Sequence, residues 1–255
     1  MITALRQKHT VAMIGDGVND ILAIKEADLG VAMGSGTGAS RAIAQLVLLS
    51  DNFSVLPDVI AEGRRVIGNI ERTANLFISK TTYVFALAWA VGVALVPFPF
   101  LPRHLTLIGF LTNGTPGLFL SFSSNVSRAR RGFISRVLRF SIPAGGIAAA
   151  MTLISYALVR QIDPANVELA RSASTLTLVG CGFSILVLLA LPPLTCWRKL
   201  FIASLLIILG LIMAVSPVSD FFALVFPPLH VWVIIIILAA TCFSILRMIR
   251  LKLPS

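Results

Sequence analysis

The sequence predicts a polytopic bundle of six membrane-spanning helices, preceded by the end of an α/β domain with a parallel sheet. Composition is the first observation behind this prediction: 57% of the 255 residues are hydrophobic and 13% are charged, unlike a soluble domain. The second is a change along the chain. Residues 1–50 alternate short apolar runs with glycine-rich turns, whereas long hydrophobic blocks dominate residues 81–255.

The amino-terminal region predicts two strand–turn–helix units. Thr10–Ile14 is short, apolar and β-branched, as expected for a buried strand. A helix is predicted over Ile21–Ala27, with Asn19 or Asp20 as its cap. The same order is repeated by a strand, a turn and a helix: Leu29–Met33, Gly34–Gly38 and Ala39–Leu49. This order predicts an open parallel sheet, which binds ligands at the carboxyl ends of its strands.

The first turn is the best candidate for a catalytic and metal site, because it holds Asp16 and Asp20 four residues apart. Gly15 and Gly17 let the backbone turn sharply and approach an anion closely. Carboxylate oxygens suit Mg²⁺, which takes one or two of them together with phosphate oxygens and water. The amide of Asn19 could donate to a phosphoryl oxygen. An Asp-Gly pair is most often only a turn, so the prediction depends on the whole string GDGVND between strand and helix.

Residues 14–37 (IGDGVNDILAIKEADLGVAMGSGT) resemble the hinge motif that ends the phosphorylation domain of P-type ATPases, a domain with the haloacid-dehalogenase-like fold. The resemblance implies that Asp16 binds Mg²⁺ and that Asn19 contacts the phosphoryl group. It implies that Asp20 supports the metal shell or positions its neighbours, with Gly15 and Gly17 at the cofactor site. Soluble phosphatases of the same superfamily share GDGxND, so the motif alone does not predict transport.

Six hydrophobic blocks of nearly membrane-spanning length follow. They lie at roughly Thr81–Leu101, Leu105–Phe122, Ile142–Val159, Leu176–Leu194, Leu200–Val215 and His230–Leu246. The second is interrupted by the glycine and proline of residues 113–117, and the fifth is short. Any one block could be a buried core helix, but six in succession predict a membrane bundle.

Basic residues lie mainly on one side of the predicted bundle. That side carries ten of them in its loops and tail: Arg128, Arg130, Arg131, Arg136, Arg139, Arg198, Lys199, Arg247, Arg250 and Lys252. The opposite loops carry three: Arg103, Arg160 and Arg171. The positive-inside rule therefore predicts that the soluble part, the basic loops and the carboxyl terminus are cytoplasmic in a multi-pass protein of the cell membrane. The basic charge is explained by topology, and no nucleic-acid surface is predicted.

Residues 51–80 predict one long helix that continues into the first span. Apolar positions recur there at helical spacing, and no proline lies between Pro57 and Pro97. An amphipathic helix packed on a domain would explain this periodicity but not the span that follows without a break. The segment resembles the stalk of the fifth membrane helix in P-type pumps. The chain then divides into the end of the phosphorylation domain (1–50), the stalk (51–80) and pump spans five to ten (81–255).

A complete P-type pump also has an actuator domain, four earlier spans, a nucleotide domain and the phosphorylated aspartate of a DKTGT motif. None is found in this sequence. The resemblance therefore implies the carboxyl-terminal part of an ATP-driven cation pump, inactive alone, whose missing amino-terminal part binds most of the ATP. Two alternatives stay open. One is a noncatalytic membrane remnant of a truncated pump, and the other is a membrane-anchored phosphatase, which would need a DxD motif that is absent here.

The cargo is expected to be Ca²⁺ or another small cation, because the sequence around the stalk resembles bacterial cation pumps related to calcium pumps. Calcium pumps carry an aspartate where Asn113 stands, so the predicted ligands are mainly neutral oxygens. The candidate transport residues are Lys80, Thr81, Thr112, Asn113, Thr115 and Pro116. Lys80 has two interpretations: its side chain snorkels to the membrane interface, or its ammonium occupies the transport site after the ion has left.

Overall fold

The computed structural model describes residues 1–95, 97–122, 132–190 and 196–252. They form two compact units, residues 1–63 and 64–255. Three arginines of the predicted basic loop lie outside the described residues: Arg128, Arg130 and Arg131. The last residues of the predicted span Leu176–Leu194 also lie outside them.

A parallel three-stranded sheet is the core of the first unit. Its strands are β1 (Ala12–Gly15), β2 (Leu29–Met33) and β3 (Leu46–Leu48), and they pair in the order β1-β2-β3. The central strand is the most buried, with Val31 and Ala32 at most 1% exposed. The predicted parallel sheet and the two predicted strands are confirmed.

Three short helices surround this sheet: α1 (Ile2–Arg6), α2 (Ile21–Glu26) and α3 (Gly38–Ile43). The prediction of a helix over Ala39–Leu49 is wrong in its second half, because α3 ends at Ile43 and β3 follows. The cause lies in Gln45, which exchanges two hydrogen bonds with Gly30 of β2: its backbone N–H donates to the Gly30 carbonyl, and its side-chain oxygen accepts from the Gly30 N–H. These bonds fix the chain in an extended path along the sheet.

One continuous helix, α4 (Leu56–Ala94), contains residues of both units. The predicted long helix is therefore present, although it ends before the predicted Leu101. Leu95 has a positive φ of 52°, and Pro97 and Pro99 follow. The left-handed backbone of Leu95 ends the helix, and a proline shortly after a helix end is common because it cannot continue the helix.

The other elements that the structure describes in the second unit are helices. It comprises α5 (Pro102–Gly109), a π-helical segment (Phe110–Gly114), α6 (Thr115–Ser121), α7 (Phe133–Ile162), α8 (Val167–Ala190), α9 (Cys196–Ala214), α10 (Ser216–Phe222) and α11 (Leu229–Lys252). Among the described residues, five helices are long and apolar enough to cross a membrane: α4, α7, α8, α9 and α11. The predicted second span is instead the broken run α5–π–α6, so the count of six holds only if this run is included.

The second unit is built around α8, which is buried along nearly its whole length. Close approach to its neighbours depends on small residues. A Cβ on Gly180 of α8 would lie 2.9 Å from the Cβ of Ala239 on α11, and a Cβ on Gly145 of α7 would lie 2.6 Å from the Ser79 carbonyl oxygen of α4. Small residues at such crossings let helix backbones pack tightly in membranes.

Polar contacts also join α4 to α7. Arg136 of α7 donates from Nε and Nη2 to the two carboxylate oxygens of Glu71, at 3.0 and 2.8 Å. Nearer the middle of both helices, the Ser141 hydroxyl donates to the side-chain oxygen of Asn75 at 2.9 Å. The Arg136 guanidinium and the Glu71 carboxylate thus form a bidentate ion pair.

Candidate functional site

The first candidate site is the loop between β1 and α2. Asp16 follows the carboxyl end of β1 and is exposed, as is Asn19 in the short 3₁₀ turn that leads to α2. Asp20 is partly buried, and its Oδ2 accepts a hydrogen bond from the Gly17 N–H at 3.3 Å. Asp20 stands at the cap position of α2 but accepts no hydrogen bond from that helix. Its carboxylate therefore closes the turn that presents Asp16.

Gly15 makes room for this arrangement. A Cβ at position 15 would lie 2.5 Å from the Cβ of Asp20 and 2.7 Å from its Oδ2. These distances are far below van der Waals contact, so only glycine lets Asp20 fold back over the turn. The first glycine of GDGVND is thus required by the packing of the last aspartate.

The turn at Gly34–Gly38 supports the loop between β1 and α2 through hydrogen bonds. The Thr37 N–H donates to the Asp16 carbonyl oxygen at 2.9 Å, and the Ser40 hydroxyl donates to the Gly17 carbonyl oxygen at 2.8 Å. Ser40 is fully buried, and its own N–H is capped by the Thr37 hydroxyl. Sequence reasoning missed Thr37 and Ser40, although a threonine directly before a helix is a recognisable N-cap signal.

The far side of the second turn is held by Asp51, whose carboxylate accepts from the Ser35 N–H at 2.9 Å. This backbone hydrogen bond favours the charged form and holds the pKa of Asp51 below its ordinary value. Asp51 was not predicted as a site residue. Its contact shows that both ends of the GSGTG turn are fixed, at Ser35 and at Thr37.

The side chains of the loop between β1 and α2 have the oxygen atoms that Mg²⁺ prefers as ligands. The exposed Asp16 and the partly buried Asp20 offer carboxylate oxygens, and the neighbouring Asn19 offers an amide. In the part of the chain that the structure describes, no three His, Cys, Asp or Glu side chains come together as a metal cluster. Two carboxylates are nevertheless sufficient for Mg²⁺, which keeps several waters and is completed by phosphate oxygens.

We expect Gly15→Ala to destabilise this loop by about 1–3 kcal/mol, because the new methyl group overlaps Asp20. Hydrogen exchange of the purified chain, read on peptides over β1 and α2, would measure the loss of protection. Gly38→Ala is the matched control, since a Cβ there meets nothing within 4 Å. Equal protection in the two variants would contradict the packing role of Gly15.

The second candidate site is the π-helical segment between α5 and α6. Thr112 and Asn113 are each 3% exposed, and the Asn113 side-chain N–H donates to the Thr112 hydroxyl at 2.7 Å. That hydroxyl donates in turn to the Ile108 carbonyl oxygen. Thr112 packs against α8, where a Cβ on Gly182 would lie 2.5 Å from its methyl carbon. The predicted interruption of this span is therefore a polar break buried against α8.

Lys80 reaches this break. Its Nζ lies 3.1 Å from the position that a Cβ on Gly109 would occupy, and Gly109 is the residue before the π-helical segment. Tyr83, one turn further along α4, lies beside Thr112 and Asn113 and is 4% exposed. Sequence reasoning missed Tyr83; its spacing of three residues from Lys80 puts both on one face of α4.

The remaining predicted transport residues are distributed differently. Pro116 is buried and Thr115 partly buried in the first turn of α6. Thr81 is exposed, and its hydroxyl donates to the Phe77 carbonyl oxygen of its own helix at 3.1 Å. The structure thus brings Lys80 to the π-helical segment that contains Thr112 and Asn113, but it does not bring Thr81 there.

Comparison with known proteins found a family match for the amino-terminal region and relatives for most of the chain. Residues 5–60 match the family model of haloacid dehalogenase-like hydrolases. The chain is 42% identical over 238 residues to the calcium-transporting ATPase CtpE of Mycolicibacterium smegmatis, covering 88% of this chain and 30% of the relative. It is 46% identical over 202 residues to CtpE of Mycobacterium bovis, covering 74% and 25%. It is 36% identical over 210 residues to the probable cation-transporting ATPase exp7 of Streptococcus pneumoniae, covering 78% and 26%.

The family match over residues 5–60 and the five long apolar helices among the described residues define a multi-pass membrane protein with a haloacid-dehalogenase-like region. The named relatives show which family of membrane proteins this is. The chain belongs to the P-type family of cation-transporting ATPases. It spans about 30% or less of the length of these curated relatives.

Proposed function

We propose that this chain is the carboxyl-terminal part of an ATP-driven cation pump that works through a phosphoenzyme intermediate, with Ca²⁺ as its cargo. One observation carries the proposal: a single chain contains both the GDGVND loop, with Asp16 and Asn19 exposed, and a buried polar break beside Lys80. The continuous helix α4 holds residues of both units. The names of the relatives, two calcium-transporting ATPases and a probable cation-transporting ATPase, support the cargo.

In this proposal the loop after β1 serves phosphoryl transfer on an aspartate outside this chain. Asp16 holds Mg²⁺, and Asn19 donates its amide to the phosphoryl group. Asp20 keeps the turn closed through its hydrogen bond to the Gly17 N–H, and can support the metal through its second oxygen. Mg²⁺ supplies charge neutralisation to the phosphoryl oxygens. ATP is bound mainly by parts of the pump that lie outside this chain.

The cation crosses at the π-helical segment. Thr112 and Asn113 offer side-chain oxygens, and the irregular backbone up to Thr115 and Pro116 offers carbonyls, which is how broken helices bind cations at membrane depth. Carboxylates are the usual ligands of Ca²⁺, so an amide-based site is expected to bind it less tightly. Thr81 can contribute only after a rotation of α4, because Thr81 is exposed whereas Thr112 and Asn113 are buried.

Lys80 is proposed as a tethered cation that occupies this site when the transported ion has left. Its ammonium next to Gly109 supports this role over snorkelling. We expect Lys80→Ala in the intact protein to change the number of cations moved per ATP, or to uncouple hydrolysis from transport. Simultaneous assays of ion uptake and phosphate release in vesicles would measure that ratio. An unchanged ratio at equal expression would contradict the tethered cation and favour snorkelling.

The protein is proposed to lie in the cell membrane, with the first unit, the basic loops and the carboxyl terminus in the cytoplasm. The intact protein, purified in lipid, tests the function through ATP hydrolysis with Mg²⁺ and a panel of cations. Stimulation by Ca²⁺ is expected. Hydrolysis of simple phosphate esters without cation stimulation would favour a membrane-anchored phosphatase, and no turnover at all would favour a noncatalytic remnant.

A further inference from the structure

His104 is a buried histidine at the start of α5, and one of its ring nitrogens caps that helix. It is 0% exposed, and its Nδ1 accepts a hydrogen bond from the backbone N–H of Leu101 at 3.3 Å. The backbone N–H of His104 donates in return to the Leu101 carbonyl oxygen at 3.0 Å. Leu101 is the N-cap residue of α5, so His104 takes the place of the glutamate or glutamine of a capping box.

The hydrogen bond from Leu101 determines where the proton of the neutral ring lies. A ring nitrogen that accepts a hydrogen bond carries no proton, so neutral His104 carries its proton on Nε2. This nitrogen is buried, and no described residue accepts a hydrogen bond from it. A second proton would therefore bind to Nδ1, and two N–H groups would then face each other. The neutral ring caps the start of α5, whereas the charged ring cannot.

The surroundings of His104 favour its neutral form. Among the described residues, the charged groups within range of the ring are Arg103 of its own helix and Arg171 of α8. Both are cations, and burial removes the water that would stabilise an imidazolium. The contact from α10 is made by the backbone at Phe222, and the acid of that helix, Asp220, is exposed. Protonation adds no new donor toward α10, because Nε2 carries a proton already.

α5 connects this capped end to the second candidate site. The helix has eight residues, and the π-helical segment follows it directly at Phe110. Its start is docked on α10, because Arg103 Nη1 donates to the Phe221 carbonyl oxygen at 2.9 Å. In its second turn, Leu107 is 2% exposed. A short packed helix therefore joins His104 to the segment that contains Asn113.

We propose that His104 is a positioning residue of the transport site and an acid-sensitive cap, which holds the start of α5 while neutral and releases it when Nδ1 takes a proton from the extracytoplasmic medium. The release loosens the π-helical segment and lowers cation transport. The effect on transport rests on the proposed function, whereas the release of the cap does not. A released histidine binds protons at its ordinary pKa of about 6.5, so the capped state is favoured above that pH and loses stability as the pH falls below it.

The first test measures the cap in the intact protein in lipid nanodiscs, by hydrogen exchange of the peptide over residues 98–109. Protection factors, which remove the direct effect of pH on exchange, are compared at about pH 7.5 and about pH 5.5, on either side of the ordinary pKa of histidine. The unchanged protein should lose protection about three- to tenfold in acid, the equivalent of one hydrogen bond. His104→Gln should keep its protection at both pH values, because glutamine at this position caps without titrating. His104→Leu should lack it at both.

His230→Gln is the matched control, because it removes an exposed histidine from the first turn of α11. It should lose protection in acid as the unchanged protein does. Equal protection of the unchanged protein at the two pH values would overturn the proposal. The same acid-dependent loss in His104→Gln would also overturn it, because another group would then be responsible.

The second test measures transport in inside-out vesicles, whose lumen is the extracytoplasmic side in the proposed topology. With the outer medium at about pH 7.5, acidifying the lumen to about pH 5.5 should lower ATP-dependent Ca²⁺ uptake about three- to tenfold in the unchanged protein and leave it unchanged in His104→Gln. An equal loss in both would overturn the role of His104 in transport. Absence of uptake at either pH would contradict the proposed function instead, and hydrogen exchange would still decide whether acid releases the cap.

Discussion

Asp16→Asn in the intact protein is expected to lower ATP hydrolysis by about 10³-fold, because it removes the charged ligand that holds Mg²⁺ at the phosphoryl group. The backbone of the loop should survive, since the Asp16 carbonyl, not its side chain, binds the Thr37 N–H. The loss should therefore appear without a change in folding. Rates of phosphate release over a range of Mg²⁺ concentrations would measure it.

Asp58→Asn is the control for this variant, because Asp58 is an exposed carboxylate in the first turn of α4 and is not part of the GDGVND motif. It should leave the rate within a factor of about two, as surface substitutions usually do. Full activity in Asp16→Asn would remove the metal role from GDGVND. A loss in both variants would point to a general effect of charge on the first unit.

The second large effect is expected at the buried break of the predicted second span. Asn113→Leu keeps the size of the side chain but removes its oxygen, so the Ca²⁺ concentration for half-maximal stimulation should rise about 10–100-fold. Hydrolysis at saturating Mg²⁺ without added cation should stay unchanged. This separation of effects would assign Asn113 to the transport site and not to phosphoryl transfer.

Thr106→Val is the control for Asn113→Leu. Thr106 lies on α5, close in sequence to the break, but it is exposed and its hydroxyl donates to the Pro102 carbonyl oxygen of its own helix. It should leave cation stimulation unchanged. An unchanged Ca²⁺ dependence in Asn113→Leu would contradict the transport role of the break.

The sequence was sufficient to predict the parts of the fold that follow local rules. Short apolar runs between glycine turns predicted β1 and β2, and the unbroken helical periodicity predicted α4. It was not sufficient for β3, because residues 46–49 continue an apolar run that also fits a helix. The extended conformation is favoured over a helix by the hydrogen bonds between Gln45 and Gly30, two residues that are distant along the chain.

The candidate sites, like the fold, were predictable from the sequence only where they depend on local spacing. Motif spacing was enough to single out Asp16, Asn19 and Asp20, because they lie on one local turn. The support from Thr37 and Ser40 depends on how two turns meet at the edge of the sheet. The outward position of Thr81 and the approach of Lys80 to Gly109 depend on the rotation of α4 against its neighbours. Hydrophobic periodicity does not determine that rotation closely enough to say which of two adjacent residues faces the neighbouring helices.

The central claim is that this chain is the carboxyl-terminal part of an ATP-driven cation pump, with the GDGVND loop and the buried break acting in one cycle. Uptake of radiolabelled Ca²⁺ into inside-out vesicles that contain the intact protein tests it most directly. The account predicts uptake that requires ATP and Mg²⁺, is abolished by Asp16→Asn and is weakened by Asn113→Leu. Equal uptake by the unchanged protein and by Asp16→Asn, or no ATP-dependent uptake of any tested cation, would contradict it.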